Sequence, residues 1–266
     1  MHVRDKVVVI TGGAGGIGAA MGHRLAEEGA RAVVLADLDG AGAQAAAAAI
    51  GDRARGVACD AGERGSVEAL IADVETREGP IDLFCSNAGI GRGVLIEDDD
   101  QAWLDNWNVN VMSQVHAARA LLPGWLERGD GYLVVTASAA GLLTTLGDAA
   151  YAATKHASVG LAEWISIAYG HRGVKVSCLC PQGVRTNMVF GEGAEQNIGI
   201  RQVKALRIVE PEEVADAVVA SLEAEEFLIL PHPEVREYVL AKANDHDRWI
   251  GAMRHFQDTL TKEPNA

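Results

Sequence analysis

The chain lacks any apolar run near the roughly 20 residues needed to cross a bilayer. From Met1 it passes by Lys6 straight into Val7-Val8-Val9-Ile10, without the basic, apolar and small-residue succession of a secretory signal. The expectation is a cytoplasmic protein that does not engage membranes. Positive charge is scarce as well: 23 Lys and Arg stand against 37 Asp and Glu, a formal net charge of −14. Such a field repels phosphate backbones, so nucleic acid is not an expected partner. The cysteines Cys59, Cys85, Cys178 and Cys180 contain no Cys-x-x-Cys pair and the histidines no His-x-x-x-His spacing, which argues for free buried thiols and against a metal site. No serine lies in a Gly-x-Ser-x-Gly elbow, the best mark of a serine hydrolase. Proline is sparse, with no Pro- or Ser-rich linker, and the alanine run at 45–49 favours helix, so a single domain is expected.

What is present is alternation. Short runs rich in β-branched residues at Val7–Thr11, Ala32–Ala36, Gly56–Cys59, Leu83–Ser86, Tyr132–Thr136 and Val174–Cys180 predict strands. Between them, segments such as Gly18–Gly29 and Ser66–Glu78 carry apolar residues at three- and four-residue spacing. This is the pattern of βαβ units, hence an α/β protein with a parallel sheet covered by helices on both faces.

Thr11-Gly12-Gly13-Ala14-Gly15-Gly16-Ile17-Gly18 follows the first strand and opens a helix, where bare amides and a helix N-terminus can hold a pyrophosphate. Its glycines fit Gly13/15/18, Gly12/15/18 and Gly12/16/18 equally, so the turn marks a Rossmann-type, doubly wound dinucleotide fold without marking the subtype. Beyond it the second strand ends in Ala36-Asp37-Leu38, placing the Asp37 carboxylate where it can accept both adenosine ribose hydroxyls. A 2′-phosphate there would need a cation, and neither Gly15 nor Leu38 supplies one. The cofactor expected is NAD.

Tyr151 and Lys155 lie four apart, on one face of a helix, and so do Tyr238 and Lys242. Context separates the pairs. Ser138 precedes the first just past the strand Tyr132–Thr136, at the carboxyl edge of the sheet where ligands bind; Glu225 occupies the equivalent place before the second. A phenol working at neutral pH needs a fall of roughly three units, about 4 kcal/mol in favour of the phenolate, which nearby cations can supply. Lys155 is one such cation and an oxidised nicotinamide another, making Tyr151 the expected general acid or base.

Taken together these residues resemble the classical short-chain dehydrogenase/reductase family over about residues 5–230. The resemblance implies the Gly12/16/18 template, Asp60 and Ala61 at the adenine, and Asn87, Ala88 and Gly89 beside the cofactor. It also implies a catalytic tetrad of Asn110, Ser138, Tyr151 and Lys155. In it Ser138 positions the substrate oxygen, Tyr151 exchanges its proton, Lys155 holds the nicotinamide ribose and Asn110 orders a relay water. Homo-oligomers, dimers or tetramers, are implied too. The activity expected is hydride transfer between NAD and a secondary alcohol or ketone on an apolar small molecule, such as a steroid, prostaglandin-like or terpenoid alcohol. A non-catalytic NAD-binding sensor is the alternative from another class.

Two departures stand out. Pro181-Gln182-Gly183 replaces the usual Pro-Gly, with Gly183, Val184 and Thr186 still in place for the carboxamide and Gln182 expected to project towards substrate. Ser86 replaces the first Asn of Asn-Asn-Ala-Gly. The run Glu97–Asp100 is expected to cap a helix through Trp103 and Trp107, and His156 to pack. Part of Leu142–Leu146 is expected to line an apolar pocket, and 187–207, with Gly191, Gly193 and Gly199, to form a lid. Phe227–Leu230 predicts a last strand, stopped by Pro231-His232-Pro233. A helical tail over 234–257, broken near Asn244–Asp247, is expected to span a subunit boundary and shield the substrate pocket, the alternative being that it packs on its own subunit's sheet.

Overall fold

The computed structural model describes residues 1–191 and 197–262. The β-branched runs form strands β1 (Val7–Thr11), β2 (Ala32–Asp37), β3 (Ala54–Ala58), β4 (Leu83–Ser86), β5 (Gly131–Thr136), β6 (Val174–Leu179), β7 (Gly183–Val184), β8 (Ile208–Val209) and β9 (Leu228–Ile229). Seven of them make one sheet in the order β3-β2-β1-β4-β5-β6-β9, every neighbouring pair parallel. β7 and β8 pair separately. The chain winds outward from β1 to β3, then returns to β4 beside β1, so the order reverses between β1 and β4. A crevice opens there at the carboxyl ends of the strands.

Alternation along β1 shows why both faces are covered. Val7 and Val9 join one core with Val67 and Leu70 of α3 (Arg64–Arg77), Leu121 and Trp125, and Ala162. Val8 and Ile10 join the other with Met21, Leu25, Val214 and Val218. The helices involved are α1 (Gly16–Glu27), α2 (Gly40–Ile50) and α9 (Pro211–Ala224) on one face, and α3, α5 (Ser113–Arg128) and α6 (Ala149–Tyr169) on the other. A strand buried on both sides has no polar face, as expected for a central parallel strand.

Several boundaries move. The third strand begins at Ala54, because its register with Val33–Asp37 extends it backward, and Cys59 lies beyond its end. β6 ends at Leu179, one residue early, and β9 keeps only the two residues paired to Cys178 and Leu179. Asp99 caps α4 (Asp100–Trp107), its side chain accepting from the Ala102 amide at 2.8 Å, as the acidic run implied. His156, expected to pack, is exposed, with Nδ1 2.8 Å from the Ala152 carbonyl. The expected lid holds α7 (Asn187–Phe190) and α8 (Ile198–Lys204); its Gly193 lies outside the described residues. The tail is α10 (Glu234–Asn244) and α11 (His246–Lys262), broken at Asp245 and running past the expected end. Among the described residues no helix is long and apolar enough to cross a membrane.

Candidate active site

The glycine turn shows which of its glycines are needed. Gly12 and Gly16 have φ of +67° and +53°, a region side chains rarely adopt, and a Cβ on Gly18 would lie 2.0 Å from the Gly12 carbonyl oxygen. Gly15 is extended at φ −173° with open space around it. Backbone sterics therefore select Gly12/16/18 from the three templates. The bare surface at Gly15, Gly16 and Ile17 opens on a cleft of about 1140 Å³ also lined by Asp37, Asn87, Ala88, Gly89, Ser138, Tyr151 and Lys155, with Pro181, Val184 and Thr186 at its other end. The volume of the cleft, its glycine cradle and the Asp37 carboxylate fit a dinucleotide. Asp37 is held rigidly: one carboxylate oxygen accepts the Ala14 amide and the other the Asp39 amide, both at 3.0 Å.

Five of the residues expected at the cofactor do not line this cleft, Gly18 because it packs against the Gly12 carbonyl. Leu38 is exposed beside the cleft and Asp60 is turned back to accept the Gly62 amide at 2.9 Å, with Ala61 buried next to it. Gly183 is taken up by the β7–β8 ladder, where a Cβ would meet Ile208 Cδ1 at 2.6 Å.

A hydrogen-bonded chain joins the cradle to the sheet edge. Thr11 Oγ1 accepts the Asn87 and Ala88 amides at 3.0 and 3.1 Å, and Asn87 Nδ2 donates to the Thr11 and Gly12 carbonyls. Thr136 Oγ1 donates to Asn87 Oδ1 at 3.1 Å, and Lys155 Nζ to the Thr136 carbonyl at 2.9 Å. A Cβ on Gly89 would stand 3.2 Å from Lys155 Nζ and 3.3 Å from Asn110 Oδ1, so both face that glycine. Lys155 is buried, and burial lowers it to about 8.

Asn110 lies in a π turn (Asn108–Met112) between α4 and α5, a local widening common at functional sites. Its amide clamps Ile90, accepting from the Ile90 N–H at 2.8 Å and donating to the carbonyl at 2.9 Å, and it donates to Thr154 Oγ1 at 3.0 Å. Its own carbonyl accepts from Gln114 Nε2 and Ser158 Oγ. Asn110 thus fixes the strand-to-helix crossing beside Lys155.

Ser138 ends the turn after β5, its Oγ accepting from the Ala140 amide at 3.1 Å and lying 3.4 Å from the Pro181 carbonyl. Tyr151 starts the first turn of α6, placed by Asp148, whose carboxylate accepts the Tyr151 amide at 2.9 Å and the Gly93 amide at 2.7 Å. Burial pushes the Tyr151 phenol up and its hydrogen bond with Ser138 lowers it in part; the Asp148 charge adds a further rise. Lys155 Nζ is 5.5 Å from the centre of the tyrosine ring. The expected depression of Tyr151 is therefore not produced by the protein's own groups: the buried setting outweighs the single neighbouring ammonium.

Beyond Tyr151 opens a second cavity of about 410 Å³, reached by Ser138, Tyr151 and Gln182 and walled by Leu143, Thr144, Thr145, Val189, Ile200 and Val203. The tail closes it within the same chain through Tyr238, Trp249, Met253 and Phe256. Lys242, partner of the discounted Tyr238, donates to the Leu142 and Leu143 carbonyls at 3.0 and 2.7 Å and sits 4.8 Å from the Trp249 ring centre. Arg201 on α8 donates to the Leu260 carbonyl of α11. Sequence reasoning missed Thr136 and Asp148, which belong to no spaced motif, and gave no role to Thr11, quoted only as the start of the glycine turn, or to Lys242, set aside with Tyr238; the position of Thr136 at the end of a strand was the one available sign.

The short chain dehydrogenase family model matches residues 6–197. The chain is 33% identical over its whole length to 1-deoxy-11-beta-hydroxypentalenate dehydrogenase of Streptomyces avermitilis, covering 99% of that protein. It is 34% identical, over 82% of its length and 89% of the relative's, to 2-(S)-hydroxypropyl-CoM dehydrogenase 3 of Xanthobacter autotrophicus. A short chain dehydrogenase/reductase from Burkholderia phymatum, solved in complex with NAD, superposes with a TM-score of 0.82 at 28% identity, covering 100% of this chain and 98% of that one. The chain belongs to the classical short-chain dehydrogenase/reductase family. It is an oxidoreductase by family, and the family binds a nicotinamide cofactor.

Proposed function

We propose that the protein is an NAD-dependent dehydrogenase interconverting a secondary alcohol and a ketone on an apolar small molecule, of steroid, prostaglandin-like or terpenoid character. The observation that carries this reading is the convergence of Ser138, Tyr151 and Lys155 where a dinucleotide-sized cleft meets a smaller cavity closed by tryptophan, methionine and phenylalanine. The polar atoms needed for proton transfer sit at the mouth, and Leu143, Val189, Ile200, Val203, Trp249, Met253 and Phe256 give much of the remaining lining an apolar character.

When bound, the nicotinamide ring supplies the site that takes or gives hydride. Tyr151 takes the alcohol proton during oxidation and returns it during reduction. Ser138 Oγ holds the substrate oxygen against Tyr151 and keeps the carbinol in one orientation. Lys155 and Asp37 would hold the two ribose rings, and the amides after Gly12 would hold the pyrophosphate. Asp37 disfavours a 2′-phosphate by charge, and the cations lining the cleft besides Lys155, Arg24 and Arg185, are paired with Asp216 and Glu210. This supports NAD over NADP.

The free, buried cysteines suit a reducing cytoplasm. Exposed Trp164 and Ile167 on α6, with Leu104 and Trp107 on neighbouring α4, support a homo-oligomer, dimer or tetramer, formed through these helices. Incubation of the purified protein with NAD and a panel of secondary alcohols, followed by NADH absorbance, tests the reading; turnover with none of them would refute it.

A further inference from the structure

Two features stand outside the chemistry above: the extra residue Gln182, and a histidine set between prolines, His232. They meet. His232 is wholly buried; its Nδ1 accepts the Gln182 N–H at 3.2 Å, and its Nε2 donates to the Gly183 carbonyl at 3.0 Å. A ring facing an amide on one side and a carbonyl on the other carries its proton on Nε2, and burial lowers its pKa, keeping it neutral. On the other side of residue 182, the Pro181 carbonyl accepts the Ala139 amide at 2.8 Å and lies 3.4 Å from Ser138 Oγ. The backbone of Gln182 is therefore fixed from both directions, which leaves the side chain as the moving part.

That side chain lines both the cofactor cleft and the apolar cavity, and its Oε1 is buried without a hydrogen-bond donor. Buried acceptors are rarely left so, because the desolvation cost is not recovered. Turning this oxygen towards a donor in the cavity breaks no existing hydrogen bond. Its backbone adjoins Pro181, whose carbonyl Ser138 touches, so a group it meets lies close to the reacting carbon. Of the other polar side chains in the lining, Thr145, Asp148, Asn197 and Gln202 already hold hydrogen bonds within the protein, whereas Gln182 Oε1 is, among the described residues, the buried lining atom left without one.

We propose that Gln182, held in place by His232, accepts a hydrogen bond from a second hydroxyl of the substrate, and that the enzyme prefers apolar cyclic secondary alcohols bearing a hydroxyl one or two carbons from the reacting centre. This rests on the dehydrogenase reading above. Gln182 sets specificity; His232 is a positioning residue.

The test compares cyclohexanol with the cis and trans isomers of cyclohexane-1,2-diol and cyclohexane-1,3-diol, using full-length protein at saturating NAD. The wild type should favour at least one diol in kcat/KM by about tenfold, the value of one good hydrogen bond. Gln182→Leu should bring that ratio to about one through a raised diol KM, read against cyclohexanol turned over by the same variant at saturating NAD. His232→Ala should weaken the ratio, and His232→Gln, which retains a donor and an acceptor, should restore part of it. Turnover of cyclohexanol with no diol preference, or a preference that survives Gln182→Leu, overturns the inference alone. No turnover of any of these alcohols overturns it together with the dehydrogenase reading.

Discussion

Lys155 Nζ donates to the Thr136 carbonyl at 2.9 Å, and the Thr136 hydroxyl donates to Asn87, whose amide holds the glycine turn. The Lys155 ammonium and the glycine turn are thus ends of one hydrogen-bonded chain across the switch point of the sheet.

The buried ammonium has a cost. Its pKa falls from 10.5 to about 8, so the folded state disfavours the charged form, and the penalty is full below pH 8 and fades as pH rises towards 10.5. A shift of that size corresponds to about 3 kcal/mol. Lys155→Met should therefore raise the thermal midpoint at pH 7, by less than the full amount because the Thr136 bond is lost, while abolishing turnover. Calorimetry at pH 7 and pH 10 checks this: the gain should shrink at the higher pH.

Tyr151 and Tyr238 separate proton transfer from binding. Tyr151→Phe should lower kcat by at least about 100-fold with NAD affinity within a few-fold, since it removes a proton acceptor and little contact surface. Tyr238→Phe should keep kcat and alter only the alcohol KM, because that side chain lines the cavity wall. Steady-state kinetics on both variants decides the matter, and equal loss of kcat would refute the assignment.

Burial raises the Tyr151 phenol, so the deprotonated form needed for oxidation gains as pH rises. The rate of alcohol oxidation should climb from pH 6 through pH 9 and that of ketone reduction should not. A pH–rate profile in both directions tests this; an oxidation optimum at or below pH 7 would contradict it.

At the far end of the cleft, NAD should bind at least about tenfold more tightly than NADP, because Asp37 repels a 2′-phosphate. Asp37→Ser with Leu38→Arg should reverse the order. Titration of both cofactors into both proteins is the measurement.

The tail latch can be cut without touching the cofactor cleft. Lys242→Met removes the bonds to the Leu142 and Leu143 carbonyls and the contact with Trp249. It should raise the alcohol KM several-fold at unchanged NAD affinity, with truncation after Pro233 having a larger effect of the same kind. Unchanged kinetics in both would reduce the tail to a packing element.

The strands, the glycine turn, Asp37 and the Tyr151–Lys155 pair were legible in the sequence because each is written in local spacing: period two for a strand, four residues for one helix face, glycine where backbone must bend. Even there the sequence left three glycine templates open, and the choice came from a contact between Gly18 and the Gly12 carbonyl that no spacing encodes. Asp60 carried the family's motif, and that one of its carboxylate oxygens accepts the Gly62 amide is a loop geometry the motif does not contain. The direction of the Tyr151 shift was also beyond reach, since desolvation depends on what covers a group and not on its neighbours in the chain.

Local pattern by itself determined the α/β fold, the order of its elements and the place of the glycine turn after the first strand, because those follow from periodicity and backbone sterics. Tertiary structure alone decided that the tail closes the cavity of its own chain, that Lys242 latches it and that His232 grips the backbone of Gln182. These contacts join residues 50 to 100 positions apart, and at such separations what brings two groups together is the packing of whole helices on the sheet.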